Sequence, residues 1–153
     1  MEQERNYNLS GEAMAALADG NVRLAGKLLG YVYSITGVVV HGNHLGRTLG
    51  FPTANLKLKD GIPFLPAYGV YAVKIVVGLY VFKGIANAGT RPTVDGTTMT
   101  VEVNIFDFSG DLYGKTLDVQ FIDRIRAEIK FRNLDELVSQ IREDKQQALL
   151  LLA

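Results

Sequence analysis

The sequence contains no cysteine, carries no excess of charge of either sign and has no long hydrophobic run. Without cysteine the chain has no disulfide, no thiolate zinc site and no cysteine nucleophile. Its sixteen basic and sixteen acidic residues cancel, so it lacks the overall positive field that draws a protein to nucleic acid or to an anionic membrane. A phosphate group that binds here must therefore be held by a local site.

Segments of the kind used for export or membrane insertion are also missing. The apolar run from Leu149 to Leu152 is far shorter than the ~20 residues that a membrane helix needs, and the polar N-terminal residues do not form a signal peptide. We therefore expect a cytoplasmic protein. With 153 residues, 48% of them hydrophobic, the chain is expected to bury a single core.

β-Branched and aromatic residues dominate from Val32 onward, in short runs separated by glycine. This pattern predicts six strands. They lie near residues 32–40, 69–77, 79–86, 98–106, 116–122 and 124–131. Connections such as 77–79 and 111–114 are too short for crossover helices, which favours a closed antiparallel barrel. The stretches 41–68 and 87–97 are predicted to be irregular and are where function would most readily be located.

Helices are predicted at both ends of the chain. Ser10 and Asn21 are suited to cap two short helices that end near Gly20 and Gly30. A C-terminal helix is predicted to begin at Asn133, with a glutamate three residues later. Its apolar residues share one face and should lie against the barrel; they are Leu134, Leu137, Val138, Ile141 and Ala148.

The segment from Gly42 to Asn55 has the composition of a ligand-binding loop. Gly42, Gly46 and Gly50 recur every four residues around Arg47, so the backbone can approach an anion closely with its amides facing inward. Arg47 adds a permanently charged, forked donor. This pattern indicates a phosphate site, and the alternative is an ordinary glycine-rich turn.

Thr53 and Asn55 lie two residues apart, on one face if the segment is extended. Their hydroxyl and carboxamide oxygens are hard ligands of the type that magnesium prefers, and two neutral side chains suffice when a nucleotide's phosphate completes the shell. The alternative is that they hydrogen-bond their own backbone. His41 and His44 have no acidic or cysteine partner at a useful spacing, so we expect no zinc site.

This segment resembles the ATP and magnesium loop of riboflavin kinases, in particular the kinase module of bacterial bifunctional riboflavin kinase/FMN adenylyltransferases. The resemblance covers about residues 31–148, and its motifs occur in the family's order. They are His41-Gly42, Gly46-Arg47, Leu49 through Leu56, Gly69-Val70-Tyr71, Asn87 through Thr93, Val101-Glu102, Asp107-Phe108, Asp111 through Gly114, and Ile125-Arg126 through Lys130-Phe131.

The resemblance implies a mainly β fold: a closed six-stranded antiparallel Greek-key barrel with an N-terminal helical hairpin and a C-terminal helix. It also implies that the γ-phosphoryl group of ATP, bound with Mg²⁺, is transferred to the ribityl 5′-hydroxyl of riboflavin to give FMN and ADP. A flap over residues 107–114 would close on the ligands. The implied ATP-binding residues are Gly42, Gly46, Arg47, Gly50, Thr53, Asn55 and Tyr113, with Thr53 and Asn55 near the metal.

Glu102 matches the catalytic glutamate of that family. Because Val101 and Val103 flank it in a strand pattern, its carboxylate is expected to point away from the core. Phosphoryl transfer to an alcohol needs a group that orients the hydroxyl and accepts its proton, and the alternative is an ordinary solvated glutamate. The family often has histidine where this chain has Asn104, so no second titrating group is expected there.

Arg126 and Glu128 are placed near the flavin by the resemblance. Their spacing puts them on one strand face, where the alternative is a surface ion pair of little energetic worth. Phe131 is a candidate wall for the flavin ring or an ordinary core residue. Residues 87–93 are interpreted as a structural turn.

Residues 1–30 are assigned to an N-terminal tail and helical linker, and residues 31–153 to the kinase domain. The linker resembles the end of the adenylyltransferase module of the bifunctional enzymes, but the module itself is missing, so we expect no FAD synthesis by this chain alone. The alternatives to a kinase are a flavin-binding barrel without catalysis and a regulatory partner of a separate adenylyltransferase. Neither nucleic acid nor a membrane is expected as a partner.

Overall fold

The structure, a computed structural model, describes residues 10–40, 53–58, 65–94 and 96–153. Within these ranges it contains three helices and six strands. In chain order they are α1 (Gly11–Ala18), α2 (Val22–Leu29), β1 (Ser34–Val40), β2 (Ala54–Leu58), β3 (Gly69–Val77), β4 (Tyr80–Thr93), β5 (Gly96–Ile105), β6 (Thr116–Arg126) and α3 (Leu134–Leu151). None of the described helices combines the length and the apolar composition needed to cross a membrane.

The six strands close into one antiparallel barrel in the order β1-β2-β5-β4-β3-β6. Strands β3, β4 and β5 follow one another as neighbours, and β6 returns to lie beside β3. This arrangement is a Greek key. Pairing of β6 with β1 completes the ring, so the predicted barrel is confirmed and the sheet has no free edge.

Six strands were predicted and six are present, but one strand was missed and two of the predicted strands are one. Residues 54–58, predicted to be irregular, form β2, which pairs with β1 and β5. The predicted strands 116–122 and 124–131 are instead one strand, β6, which ends at Arg126. Register shifts opposite β3 bend β6 without ending it, and such bulges are not visible as a sequence pattern.

The predicted irregular stretch 87–97 is also largely extended. Strand β4 continues to Thr93 and β5 begins at Gly96, so the two strands form one long hairpin. Its polar residues, such as Asn87 and Thr90, lie on exposed positions of β4. The polar residues and the proline of this stretch led to the prediction of a loop, whereas the stretch forms the end of a strand.

The barrel interior holds the main apolar core. Its largest fully buried side chains are Tyr33, Ile35, Tyr71, Val73, Ile75, Val101, Val103, Leu117, Val119 and Phe121. The rings of Tyr71 and Phe121 meet edge to face, with centroids 5.2 Å apart, a favourable geometry for aromatic pairs.

The N-terminal helical hairpin covers one end of this core. Ser10 and Asn21 cap its helices as predicted: the Ala13 amide donates to Ser10 Oγ at 3.2 Å, and the Leu24 amide donates to Asn21 Oδ1 at 3.1 Å. Leu17 is completely buried, and its carbonyl accepts from the amide of residue 67 just before β3. The hairpin is thus attached to the barrel by both packing and hydrogen bonding.

Helix α3 packs on the outside of the barrel, against β3, β4 and β6. Ala148 and Leu152 form a second apolar cluster with outward side chains such as Val70 and Ile85. The predicted apolar face is only partly right, because Ala148 is buried whereas Leu134 is 51% exposed. The other buried residue of this helix is Asp144, which the hydrophobic pattern did not include.

Candidate functional site

Glu102 lies at the centre of a polar row that crosses three strands. In the barrel it is directly opposite Asn55 of β2 on one side and Asn87 of β4 on the other. Side chains directly opposite each other in antiparallel strands share a face. Since Val101 and Val103 point into the core, the row lies on the outer surface of the barrel.

The three members of this row differ in exposure. Asn55 is 8% exposed, Glu102 is half-buried and Asn87 is exposed. The row therefore runs from a buried carboxamide through a half-buried carboxylate to an exposed carboxamide. A ligand that approaches from the β4 side can reach the carboxylate without displacing Asn55.

Thr53 immediately precedes β2 and is half-buried. The next residue, Ala54, pairs with Val103, so Thr53 is close to Asn104 at the same end of β5. Its hydroxyl and the Asn55 carboxamide oxygen are hard, neutral donors that suit Mg²⁺ when phosphate oxygens complete the coordination. Elsewhere in the described residues, no group of three His, Cys, Asp or Glu side chains is placed to hold a metal ion.

The predicted phosphate residues Gly42, Gly46, Arg47 and Gly50 lie outside the described residues. The structure does show the two points of the barrel that this segment connects, the end of β1 and the start of β2. Strand β1 ends at Val40, which pairs with Asn55 near the start of β2. Both ends of the segment are therefore held beside the polar row.

The predicted flap, residues 107–114, is attached at the same end of β1. The Gly114 amide donates to the Val39 carbonyl, and the Val39 amide donates to the Lys115 carbonyl, each at 2.9 Å. Val39 is adjacent to Val40, the partner of Asn55. The flap and the glycine-rich segment thus meet the barrel at neighbouring positions.

Within the flap, Leu112 is buried and Phe108 packs edge to face on Phe82 at a centroid distance of 5.3 Å. Tyr113 is 54% exposed, and its amide donates to Asp111 Oδ1 at 2.9 Å. Two apolar side chains therefore anchor the flap, while the Tyr113 ring lies on its outer side.

Arg126 does not pair with Glu128, so the predicted alternative of a surface ion pair between them is wrong. Its Nε and Nη2 atoms donate to the two oxygens of Asp144 on α3 at 2.9 and 2.8 Å. Glu128 lies beyond the end of β6, with its carboxylate in the space above Gly89 of β4, where a Cβ atom would collide with it.

Phe131 lies against Arg126 rather than in the barrel interior. The guanidinium carbon of Arg126 is 5.8 Å from the centre of the Phe131 ring, within the range of a cation–π contact. Residues 127–131 follow β6 without forming a further strand. The Glu128 carboxylate lies above Gly89, so this segment, called the wall below, reaches the outer face of β4 near Asn87.

Sequence reasoning missed two polar residues of this region. Asn87 was interpreted as part of a turn, although its position between the buried Ala86 and Ala88 is the alternation expected of a strand. Asp144 lies three residues after Ile141 and four before Ala148, a helical spacing that places it on their face. Both signals were present in the sequence.

The family of the chain can be stated from its sequence. The model of the Flavokinase family, described as riboflavin kinase, matches residues 29–152. The chain belongs to the riboflavin kinase family. It is 43% identical over 155 aligned residues to the bifunctional riboflavin kinase/FMN adenylyltransferase of Haemophilus influenzae, an alignment that covers 97% of this chain and 50% of that protein. The chain thus spans about half the length of this curated relative.

Two solved structures are similar to this chain. The riboflavin kinase of Trypanosoma brucei is 26% identical with a TM-score of 0.56, over 78% of each chain. A structure described as a macrolide-efflux protein from Streptococcus pneumoniae is 46% identical with a TM-score of 0.85, over 90% of this chain and 45% of that one. The aligned part of this chain therefore corresponds to less than half of the pneumococcal chain.

Proposed function

We propose that this chain is a riboflavin kinase, which transfers the γ-phosphoryl group of ATP to the ribityl 5′-hydroxyl of riboflavin and yields FMN and ADP. The observation that carries the proposal is the position of Glu102. Its carboxylate lies on the outer face of a rigid barrel, in register with two carboxamides, and beside both ends of a glycine-rich segment.

Glu102 is proposed to accept the proton of the riboflavin hydroxyl as the oxygen attacks phosphorus. A base must lie within hydrogen-bond reach of that hydroxyl, and a strand with neighbours on both sides holds it in one place. Asn55 and Asn87 carry no charge, so they leave the carboxylate as the proton acceptor of the row. The absence of a histidine at Asn104 leaves Glu102 without a second titrating group at that position of β5.

ATP is proposed to bind at the β1–β2 end of the row. Gly42, Gly46, Gly50 and Arg47 would hold its phosphates, and Tyr113 would lie near the nucleotide. Thr53 and Asn55 would supply oxygen ligands to Mg²⁺, which when bound neutralises charge on the transferring phosphoryl group. Positioning and charge stabilisation would then provide most of the rate acceleration.

Riboflavin is proposed to bind on the other side of Glu102, against the wall of residues 127–131. Glu128 and Phe131 would contact the flavin from this wall, whereas Arg126 would act through its contacts with α3 and Phe131. The two substrates would then meet beside Glu102, with the attacking hydroxyl and the leaving oxygen of ADP on opposite sides of the phosphorus, as an in-line transfer requires.

The test is to incubate the purified chain with riboflavin and ATP, with and without Mg²⁺, and to separate the flavins by chromatography. Production of FMN without FAD is expected, and only with Mg²⁺. Riboflavin that binds but is not converted would contradict the proposal and identify a flavin-binding barrel instead. Production of FAD would contradict the expectation that adenylyl transfer needs another module.

We further propose that the partner of this chain is an adenylyltransferase module and that both work in the cytoplasm. The family match begins at residue 29, whereas the alignment with the Haemophilus protein covers 97% of the chain, so the helical hairpin is shared with a bifunctional relative but lies mostly outside the kinase match. Leu24, Leu28 and Val32 leave 41–44% of their surface exposed on it. A cavity of about 450 Å³ lies between α2 and β6.

A further inference from the structure

Asp144 of α3 is a charged side chain in an unusual position. It is 1% exposed, and within the described residues it is the buried residue that carries a charge, since the other two buried polar residues are Ser34 and Asn55. Arg126 donates to both of its oxygens, and Gln140 Nε2 donates to Oδ1 at 3.0 Å. A buried carboxylate with three donors is held in one orientation.

The guanidinium of Arg126 connects three parts of the chain. Besides the contact with Asp144, its Nη1 atom donates to the Ala127 carbonyl at 3.1 Å, and its central carbon lies over the Phe131 ring. The side chain of Arg126 is 16% exposed, so these contacts are largely shielded from water. One planar group therefore holds both ends of the segment 127–131 against the C-terminal helix.

That segment is close to the proposed site. The Glu128 carboxylate within it occupies the space above Gly89, which is two residues from Asn87 along β4. Asn87 is directly opposite Glu102. A shift of the segment would thus change the distance between Glu128 and the Glu102 carboxylate.

We infer that Asp144 is a positioning residue for the flavin: it acts through Arg126 to hold residues 127–131 at a fixed distance from Glu102. This inference rests on the proposed function. Asp144 touches neither substrate in this arrangement, and its effect reaches the site only through the guanidinium and the segment that the guanidinium holds.

If Asp144 had a purely structural role, a variant that keeps the fold would also keep the riboflavin KM. Helix α3 is already attached by Ala148 and Leu152, and a buried ion pair often contributes little net stability compared with apolar residues of similar size. Replacing both partners together, as Arg126→Met with Asp144→Leu, should therefore preserve the fold while it removes the positioning of the segment.

The experiment compares the thermal midpoint, kcat and the KM of each substrate in the full chain. For Arg126→Met/Asp144→Leu we expect a thermal midpoint close to that of the wild type and a riboflavin KM raised by about tenfold, the size expected for losing a hydrogen bond to a charged group. The ATP KM should not change. A stable double variant with the wild-type riboflavin KM would overturn the inference.

Two further variants keep the test decisive if the double variant does not fold. Asp144→Glu keeps the charge but moves it by one methylene, and Asp144→Asn keeps the shape but removes the charge; each should raise the riboflavin KM, and an unchanged KM in both would overturn the inference. Asp123→Asn is the control, because it removes a different ion pair of β6, the one with Arg23 of α2.

Riboflavin binding is also measured without turnover, by the quenching of its fluorescence. The positioning role predicts weaker binding in the Asp144 variants and not in Asp123→Asn. If the wild type binds riboflavin but forms no FMN, the proposed function fails while the positioning role remains testable by this measurement. Equal binding by wild type and Asp144 variants would reject the positioning role alone.

Discussion

At the scale of single residues, the proposed phosphoryl transfer depends on Glu102. Replacing it by glutamine preserves its size and one of its oxygens but removes the charge and the proton acceptor. We expect kcat to fall by about two orders of magnitude or more, the usual contribution of a general base, with riboflavin binding nearly unchanged. Steady-state kinetics and fluorescence quenching measure the two quantities. Glu143→Gln, the same change on an exposed face of α3, is the control, and near-normal turnover of Glu102→Gln would remove this residue from the mechanism.

Asn87 offers a test of the polar row itself. Side chains directly opposite in an antiparallel pair have Cβ atoms about 5 Å apart, so Asn87→Asp would place a second carboxylate beside Glu102. Like charges at that distance disfavour ionisation. The acid limb of the pH–rate profile should then move to higher pH, because more alkali is needed to ionise the base. Asn87→Ala, which adds no charge, should leave the limb in place; a limb that stays fixed in Asn87→Asp would mean that the two side chains do not face each other.

At the scale of elements, local signals and long-range pairing were not equally visible in the sequence. The caps at Ser10, Asn21 and Asn133 were predicted correctly, because a cap depends on residues within one turn. Strand β2 was not, since its five residues include Lys57 and Asn55 and become a strand only between β1 and β5. The predicted element boundaries were therefore wrong where a strand depends on partners that are distant along the chain.

The residues of the candidate site also fall into those with a local sequence signal and those that depend on long-range contacts. Glu102, Thr53 and Asn55 were found through motifs, because each lies in a contiguous run of family residues. The contacts of Asn87 and Asp144 depend on which strand and which helix lie beside them. No spacing along the chain states that Arg126 meets a carboxylate eighteen residues later, so this part of the site needed the fold.

The helical hairpin is the element that tests the proposed partner. Leu24→Gln with Leu28→Gln makes the outward face of α2 polar without touching the barrel core. We expect this variant to keep kinase activity but to bind the adenylyltransferase half of a bifunctional relative at least tenfold more weakly, because apolar burial contributes roughly 25 cal/mol per Å² at such a surface. Isothermal titration calorimetry measures the affinity. Leu150→Gln, an exposed leucine on α3, is the control, and equal binding by all variants would place the partner elsewhere.

At the scale of the whole molecule, Tyr71 links barrel stability to pH. Its hydroxyl donates to the Ala67 carbonyl, and burial raises the pKa of Tyr71 above its usual 10.0, with Arg124 acting in the opposite direction. The unfolded chain therefore loses this proton at lower pH than the native barrel does. The stability that Tyr71 contributes is complete below about pH 10 and is lost as the pH rises further.

Tyr71→Phe should thus destabilise the barrel by about 1 kcal/mol near pH 8, through the lost hydrogen bond, and should reduce the loss of stability between pH 8 and pH 11. Urea unfolding at both pH values measures the free energies. Tyr80→Phe is the control, because Tyr80 is exposed at the β3–β4 turn. A variant that loses as much stability in alkali as the wild type would show that another group causes the loss.

The position of β5 between β2 and β4 also has a consequence for the mobility of the proposed site. A strand hydrogen-bonded on both sides opens only when much of the barrel opens, so its amide hydrogens exchange with solvent among the slowest in a protein. The carboxylate of Glu102 is carried by such a strand and stays oriented before any substrate arrives. If Glu102 is the base, it would thus keep its position throughout the proposed reaction, whatever moves around it.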